Sequence, residues 1–406
     1  MNFNHNQKFN GKVYYSGPYF DHQEIEAATD TLNNGAWLSA GEKVNQFEKE
    51  FSTKFEVKHS QMVNSGSSAN LVMIAACKKY YGWKDGDEII VSPAGFPTTI
   101  SVIVQNGLKP VFADIEMETL NFETNEIFKK ITRKTVAIFV SPVLGNPPNM
   151  DWLQNIALRH SIKLIGDNCD SLGSKWNDKY ITHFYSAWSS SFYPAHHITT
   201  GEGGMISTND ARLHRIVKSL TSWGRDCHCV GVENLLPKGS CNKRFSKWLK
   251  CHDNDIDHKY IFSNMGYNLK PLDLQGAIGS VQLKKFDEIS EKRKKHYKQI
   301  TNIFQEIGGV KLINSFDEAD PCWFGVPFHC PNIKHDLVAY LEQNSIQTRN
   351  YFAGNILLHP GYEHLDDYRN YPNANKVLDE VFFIGCSPQY TGETIDYIRK
   401  IVNDYE

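Results

Sequence analysis

A turn in the first quarter of the chain combines residue types that bind anions. The stretch VNSGSSAN (63–70) joins a strand-like entry to a Gly/Ser turn and to a helix that we expect to begin near Ser67. Free backbone N–H groups and the positive end of a helix dipole make an anion site at such a turn. A serine N-cap without any ligand produces the same pattern. Gly66 and Ser67 are therefore candidates for binding a phosphate.

Two further residues could hold a flat, ring-shaped ligand. Asp167 follows the apolar run IKLIG, which places its carboxylate at the end of a buried strand, where it needs a partner. A pyridinium N–H is one such partner, and a helix N-terminus or an arginine are the others. Phe96, in PAGFPTT, could stack on a ring, although a single aromatic residue more often belongs to a core.

The segment SFYPAHHITTGEGGM (191–205) contains the residues that could move a proton. A histidine such as His196 takes and returns a proton near neutral pH when its pKa stays close to the usual value of about 6.5. We interpret the adjacent His197 as a positional neighbour rather than a second base. Ser191 opens the segment and adds a hydroxyl group.

Together these stretches resemble the fold-type I enzymes that use pyridoxal phosphate (PLP). The nearest resemblance is to the nucleotide-sugar aminotransferases of the DegT/DnrJ/EryC1/StrS family, and GYNLKPLDLQGAIGSVQL (266–283) extends it. The resemblance implies an α/β fold like that of aspartate aminotransferase. It also implies a PLP-binding large domain over 1–270, which includes an irregular cysteine-rich loop at 225–258. A linking helix and a smaller C-terminal α+β domain would follow over 271–406.

The resemblance also implies a role for each candidate residue. The implied cofactor contacts are Gly66, Ser67 and Ser191 to the phosphate, Asp167 to the pyridine nitrogen and Phe96 to the ring face. Asn268 would reach the phosphate of the neighbouring subunit, which implies a homodimer. Lys270 stands where the family often has arginine, so no substrate contact is carried over to it.

His196 occupies the position at which the family has its cofactor lysine. Without that amine the cofactor is held non-covalently, and pyridoxamine phosphate (PMP) becomes the expected resting form. The substitution resembles the 3-dehydratases of the family, of which there are two kinds. One is metal-free and acts on GDP-4-keto-6-deoxymannose. The other acts on CDP-4-keto-6-deoxy-D-glucose in 3,6-dideoxyhexose synthesis, with a [2Fe–2S] cluster and an NADH-dependent iron–sulfur flavoprotein reductase as its partner.

The cysteine spacing bears on which kind this chain is. Cys227 and Cys229 form a C-x-C pair. Cys169 precedes this pair with 57 intervening residues, and Cys241 follows it with 11 intervening residues. This pattern resembles the cluster ligands of the iron–sulfur kind. A zinc site with four cysteine ligands uses the same residues, and Cys251 is a rival for the fourth ligand. We favour iron because a one-electron relay has a use beside PMP. The remaining cysteines, which we expect to be ordinary buried thiols, are Cys77, Cys322, Cys330 and Cys386.

These residues must be positioned by a layered α/β fold. The apolar runs at 87–95, 109–115, 135–143 and 162–170 predict buried strands, and the stretches between them are long enough for helices. Such alternation predicts a mostly parallel sheet, whose strand ends gather ligands. The stretch 272–307 predicts one long amphipathic helix.

Composition excludes some classes of function. With 406 residues, 41% hydrophobic residues and a net charge of −3, the chain is expected to be globular, with no electrostatic reason to bind nucleic acid. No apolar stretch is long enough for a membrane span, and the first residues form no signal peptide, so we expect a cytoplasmic protein. A non-catalytic structural or regulatory relative remains the alternative to an enzyme.

Overall fold

The computed structural model describes residues 9–35, 37–227, 244–246 and 248–405 of the chain. The strands are β1 (His59–Val63), β2 (Glu88–Val91), β3 (Lys109–Phe112), β4 (Thr135–Val140), β5 (Lys163–Asp167), β6 (Lys175–Trp176), β7 (Lys179–Tyr180), β8 (Trp188–Ser191), β9 (Gly204–Thr208), β10 (Phe245–Ser246), β11 (Ile256–Asp257), β12 (Lys311–Leu312), β13 (Ala319–Asp320), β14 (Gly325–His329), β15 (Thr348–Asn350) and β16 (Val381–Gly385).

The helices cover both faces of the sheets. They are α1 (His22–Asn34), α2 (Glu42–Lys54), α3 (Gly66–Tyr81), α4 (Pro97–Gln105), α5 (Thr124–Lys130), α6 (Met150–His160), α7 (Ala211–Thr221), α8 (Asp273–Lys284), α9 (Phe286–Phe304), α10 (Lys334–Gln343), α11 (Pro372–Glu380) and α12 (Gly392–Asn403). Short 3-10 helices lie at Ile181–Phe184, His258–Tyr260, Ile356–Leu358 and Tyr368–Asn370. No helix among the described residues is long and apolar enough to cross a membrane.

The main sheet has seven strands in the order β1-β9-β8-β5-β4-β2-β3. Strands β3, β2, β4, β5 and β8 run parallel, whereas β9 is antiparallel to both β8 and β1. The prediction of a mostly parallel sheet built from four of the apolar runs is therefore confirmed. Because β5 and β8 are neighbours, Asp167 pairs with Ser189 and lies beside the segment that carries His196.

Buried side chains fill both faces of this sheet. Side chains alternate between the two faces of a strand. In β4, Ala137 and Phe139 belong to one hydrophobic cluster, whereas Ile138 and Val140 belong to a second one. Helices cover each cluster, and this burial holds the strand ends, and hence the residues that follow them, in fixed positions.

A smaller antiparallel sheet lies in the last part of the chain, in the order β12-β14-β16-β15. The N-terminal segment also reaches this region, since Val13 forms a parallel bridge with Ile346. The strands of the main sheet thus lie within 59–208 and those of the smaller sheet within 311–385. The domain boundary at residue 270 stays a prediction.

The expectation of one long helix over 272–307 is wrong. The structure has two helices, α8 and α9, separated at Lys285. Helix α8 packs against α1 and α2, whereas α9 packs against α12 and β14. The two helices therefore have different packing partners. The Lys285 ammonium lies 2.8 Å from the buried Glu24 carboxylate of α1. Sequence periodicity carries no signal for such a change of packing partner.

Candidate active site

A cavity of about 700 Å³ lies at the carboxyl ends of β5 and β8. Most of the predicted site residues line it, namely Gly66, Ser67, Phe96, Asp167, Cys169, Ser191 and His196. These residues are far apart in the sequence, and the sheet order brings them together, as expected for the strand ends of an α/β fold. No lysine lines the cavity within the described part of the chain.

The N-terminus of α3 forms one end of the cavity. The Ser65 hydroxyl accepts a hydrogen bond from the Ser68 N–H at 3.1 Å and caps this helix, which begins at Gly66, one residue before the predicted start. A Cβ atom on Gly66 would lie 2.5 Å from the Cβ of Ser191, so the helix start and the end of β8 touch only because residue 66 is glycine. The helix start and the Ser191 hydroxyl make a cradle suited to a phosphate.

Asp167 is held rigidly at the end of β5. Its Oδ2 accepts hydrogen bonds from the Asn70 side-chain amide at 2.8 Å and from the Thr99 hydroxyl at 2.6 Å. The Asn70 carbonyl in turn accepts a hydrogen bond from the Ser189 hydroxyl at 2.6 Å. The Asp167 side chain is only 5% exposed yet lines the cavity. This arrangement orients a carboxylate to accept a further N–H from a bound ring.

His196 lies in the wall of the cavity, 3.4 Å from Asp170 (Nδ1 to Oδ1). Burial, and secondly the charge of Arg293, lowers the pKa of the imidazole to about 3. Burial and the neighbouring Asp167 carboxylate raise the pKa of the Asp170 carboxyl to about 8. Although the distance would suit an ion pair, both groups are neutral at pH 7, and Nδ1 has no hydrogen-bond partner among the described residues. The expectation of an ordinary histidine pKa is not met, because burial penalises the charged form.

Arg293 of α9 fixes the backbone around this histidine. The guanidinium is buried and donates hydrogen bonds to the carbonyl oxygens of Ala195 and His196, both at 3.1 Å. It also donates to the carbonyl of Phe324 at 3.0 Å. One side chain therefore joins the loop that follows β8 to the segment that enters β14, and so ties the main sheet to the smaller one.

Phenylalanine side chains form another part of the cavity lining. Phe96 precedes α4, is 48% exposed and makes an edge contact with Phe352 at 5.6 Å between ring centroids. Phe324 lies between Phe352 at 6.4 Å and His196 at 5.2 Å. Phe96 is therefore a half-exposed ring in the cavity lining, in edge contact with one neighbouring ring.

Comparison with known proteins identifies the family of this fold and cavity. Residues 18–403 match the family model described as the DegT/DnrJ/EryC1/StrS aminotransferase family. The chain belongs to this family. The fold predicted from the sequence, the α/β fold of PLP fold-type I enzymes, is thereby confirmed.

Three similar proteins show how close the likeness is. A dTDP-4-dehydro-2,6-dideoxy-D-glucose 3-dehydratase of Saccharopolyspora spinosa is 38% identical over 91% of this chain and 81% of its own length. Lipopolysaccharide biosynthesis protein RfbH of Salmonella typhimurium is 35% identical over 94% of this chain and 89% of its own length. A solved structure of the E. coli GDP-4-keto-6-deoxy-D-mannose-3-dehydratase with bound hydrated PLP has a TM-score of 0.83 and 30% sequence identity. The match covers 96% of this chain and 99% of that chain.

The predicted cluster ligands are only partly within the described chain. Cys169 lines the cavity, and burial raises the pKa of its thiol well above the usual range. Cys227 is half-buried and Cys251 is exposed. Cys229 and Cys241 lie outside the described residues, so the proposed ligand set stays a prediction. The four cysteines expected to be ordinary buried thiols are indeed buried, namely Cys77, Cys322, Cys330 and Cys386.

Asn268 does not line the cavity of its own chain. It bridges to Ser222 and is exposed, and its side-chain oxygen accepts a hydrogen bond from Lys270. The Lys270 ammonium lies 3.3 Å from the centre of the Trp223 ring. An exposed position is compatible with a contact to a second subunit, and that role stays a prediction.

Sequence reasoning missed the residues that support the predicted ones. Asn70 lay within the quoted turn motif, one helical turn after Ser67, and Asp170 lay three residues after Asp167. Arg293 follows Ile289 by four residues on the buried face of α9. A basic residue on an apolar helix face is the signal that could have identified it.

Proposed function

We propose that this protein is a PMP-dependent nucleotide-sugar 3-dehydrase that removes the C3 hydroxyl of CDP-4-keto-6-deoxy-D-glucose. The observation that carries the proposal is the position of His196. It lines the same cavity as Asp167 and Gly66, and its segment resembles the one that carries the family's cofactor lysine. A cavity whose lining, among the described residues, includes no lysine favours chemistry that begins from an amine on the cofactor itself.

The residues present suit PMP. The close contact between Gly66 and Ser191 leaves a cradle for the phosphate, with the Ser67 backbone at the start of the helix. Asp167 offers an oriented carboxylate for the pyridine nitrogen, and Phe96 offers a ring face. When bound, PMP supplies an amine that reacts with a sugar ketone and a ring that accepts negative charge.

His196 is the group proposed to move the proton. Its imidazole is neutral, so a ring nitrogen is available as an acceptor, but a pKa of about 3 makes it a weak base. The Asp170 carboxyl lies 3.4 Å away on the Nδ1 side, and its ionisation would raise the pKa of the imidazole. An imidazole cannot replace a lysine amine in forming a covalent bond to the cofactor. His196 is therefore proposed to act as base and then as acid, and ordinary transamination is disfavoured.

The net reaction requires a reductant. Replacing C3–OH by C3–H uses one NADH and one proton, and it releases NAD⁺ and water. We propose that an NADH-dependent iron–sulfur flavoprotein reductase supplies the two electrons singly, through a [2Fe–2S] cluster held by Cys169, Cys227, Cys229 and Cys241. Four thiolates are the usual ligands of such a cluster. Asn268 is proposed to complete the phosphate site of the second subunit in a homodimer.

The metal-free 3-dehydratase is the second candidate. The E. coli structure with 30% identity belongs to an enzyme named for a GDP sugar, and the S. spinosa relative is named for a dTDP sugar. These names support a nucleotide-sugar 3-dehydratase but do not support a CDP sugar in particular. The choice of a CDP sugar rests on the cysteine pattern, which resembles that of the reductase-coupled kind. The two candidates differ in their need for a reductase.

The experiment is an assay of anaerobically purified protein with PMP and the 4-keto-6-deoxy sugars of CDP, dTDP and GDP in turn. We expect a 3-deoxy product from the CDP sugar that requires both NADH and the reductase. A 3-deoxy product made from the GDP sugar with glutamate alone would support the metal-free candidate. No turnover with any sugar, together with no PMP binding, would contradict both.

A further inference from the structure

The cavity has an imbalance of charge that a nucleotide sugar must overcome. Its described lining includes the carboxyl groups of Asp167 and Glu202, besides that of Asp170, whose raised pKa favours the neutral form. Arg349 is the one lysine or arginine among the described lining residues. A substrate with a diphosphate brings two negative charges, and an anion that leaves water needs a cation or several N–H donors.

Arg349 is well placed to supply both the positive charge and the N–H donors. Its guanidinium lies over the Tyr15 ring, 4.1 Å from the ring centre, and Nη1 donates a hydrogen bond to the Thr348 carbonyl at 2.6 Å. No carboxylate among the described residues lies within 4.0 Å of it, and the residue is exposed to solvent. A guanidinium carries five N–H donors. The stacked arrangement therefore holds a cation whose other donors face no acid.

The backbone that follows Arg349 is fixed in an unusual turn. β15 is one of the two edge strands of the smaller sheet, and after it the Phe352 N–H donates a hydrogen bond to the Asn350 carbonyl at 2.6 Å. Phe352 has a φ of 45°, in the left-handed region that a bulky side chain rarely adopts. Such strain persists where the surrounding structure requires it, often at ligand sites. The turn places Arg349, Asn350 and Phe352 together on the cavity wall.

We infer that Arg349 binds the diphosphate of the substrate at the cavity mouth and so selects nucleoside diphosphate sugars over uncharged sugars. The inference rests on the proposed function, since it assigns a residue to the anionic part of the same substrate. Tyr15 keeps the guanidinium in place by stacking, and planar guanidinium groups pair with phosphate oxygens through two N–H donors. The buried Asp167 is meanwhile assigned to the pyridine nitrogen of the cofactor and not to the phosphates.

The test is titration calorimetry with PMP-loaded protein. The probes are CDP, dTDP and GDP, each compared with its own uncharged nucleoside. For the diphosphate that binds wild type, we expect Arg349→Gln to weaken binding by about 10- to 100-fold and to leave the nucleoside unchanged. Arg349→Lys should recover part of the loss, because it restores the charge without the planar donors. Arg369→Gln is the control, since Arg369 is exposed, bonds Asp367 and does not line the cavity.

Each result decides the inference. Equal diphosphate affinity in wild type and Arg349→Gln would overturn it, as would a wild type that binds PMP and none of the three diphosphates. Equal losses for diphosphate and nucleoside would also overturn it, because they would show a general disturbance of the cavity. The absorbance of bound PMP is recorded in every sample. A wild type unable to bind PMP would contradict the proposed function itself, which distinguishes the two failures.

Discussion

The Nδ1 atom of His196 lies 3.4 Å from Oδ1 of Asp170, and burial leaves both groups uncharged at neutral pH. A histidine beside an acid usually suggests an ion pair. Here the imidazole is a neutral acceptor, and a proton gained by it would lie next to a carboxyl group able to lose one. This geometry leads to the first prediction.

Replacing His196 by Asn should stop proton transfer without removing the cofactor. Asparagine fills a similar volume and has no basic nitrogen, so we expect turnover to fall by about 10²- to 10⁴-fold. PMP binding should stay unchanged, because the cradle and Asp167 are untouched. The measurement is loss of deuterium from the C4′ position of labelled PMP when the ketosugar is added, with PMP absorbance as the control. Exchange at the wild-type rate would contradict the role of His196.

Replacing His196 by Lys should restore covalent attachment of PLP. The new amine would stand where the family has its cofactor lysine, within the cavity that holds the ring. We expect borohydride treatment to fix PLP onto residue 196, and mass spectrometry of the digested protein would locate it. His196→Asn treated in the same way is the matched control. Absence of any adduct at residue 196 would show that this position does not face the cofactor.

Replacing Gly66 by Ala should weaken PMP binding by disturbing the cradle. The added Cβ would meet Ser191 at 2.5 Å, so either the helix start or the end of β8 must move. We expect at least a tenfold loss of PMP affinity and a loss of about 1–3 kcal/mol in the free energy of unfolding. Gly361→Ala is the control, because a Cβ there meets no atom within 4 Å. Unchanged PMP affinity in Gly66→Ala would place the phosphate elsewhere.

Glu48 should make stability depend on pH. Its Oε1 accepts hydrogen bonds from the Met62 N–H at 2.7 Å and the Gln61 amide at 2.8 Å, and burial raises the pKa of the carboxyl from 4.5 to about 7. Between these two pH values Glu48 is ionised in the unfolded chain but still protonated in the folded one. The free energy of unfolding therefore falls as the pH rises to about 7, and the loss persists above that pH. Glu48→Gln can keep both accepted hydrogen bonds and cannot ionise.

We therefore compare the free energy of unfolding of Glu48→Gln with that of wild type. We expect this difference to increase by about 1–2 kcal/mol in favour of the variant from pH 4.5 to pH 8, a value that allows for the partial exposure of the side chain. Urea unfolding at several pH values measures this difference. Glu26→Gln, at an exposed position on α1, is the control and should show no such trend. A difference between Glu48→Gln and wild type that stays constant with pH would contradict the shifted pKa.

Local signals explain what the sequence could predict. The apolar run before Asp167 and the Ser/Gly turn at 63–70 are self-contained patterns, and the structure brings both to one cavity with His196. Such strands and helix starts depend mainly on residues close in sequence. The strand ends then converge because parallel strands in one sheet share an edge.

Contacts between distant segments explain what it could not predict. Lys285, where α8 and α9 are separated, binds Glu24, which is more than 250 residues earlier in the chain. Arg293 donates hydrogen bonds to the carbonyl oxygens of Ala195 and His196. Because every residue has a backbone carbonyl, the sequence does not indicate which ones an arginine will bind. The shifted pKa of His196 likewise reflects burial by neighbours from several segments, including Phe324.

The most direct test of the account is iron, acid-labile sulfide and zinc analysis of protein purified without oxygen. The account predicts about two irons and two sulfides per chain. Both should be lost in Cys227→Ser, and both should be retained in Cys251→Ser if Cys241 is the fourth ligand. Zinc in their place, or no metal in a wild type that still binds PMP, would contradict the reductase-coupled dehydrase and leave the metal-free dehydratase.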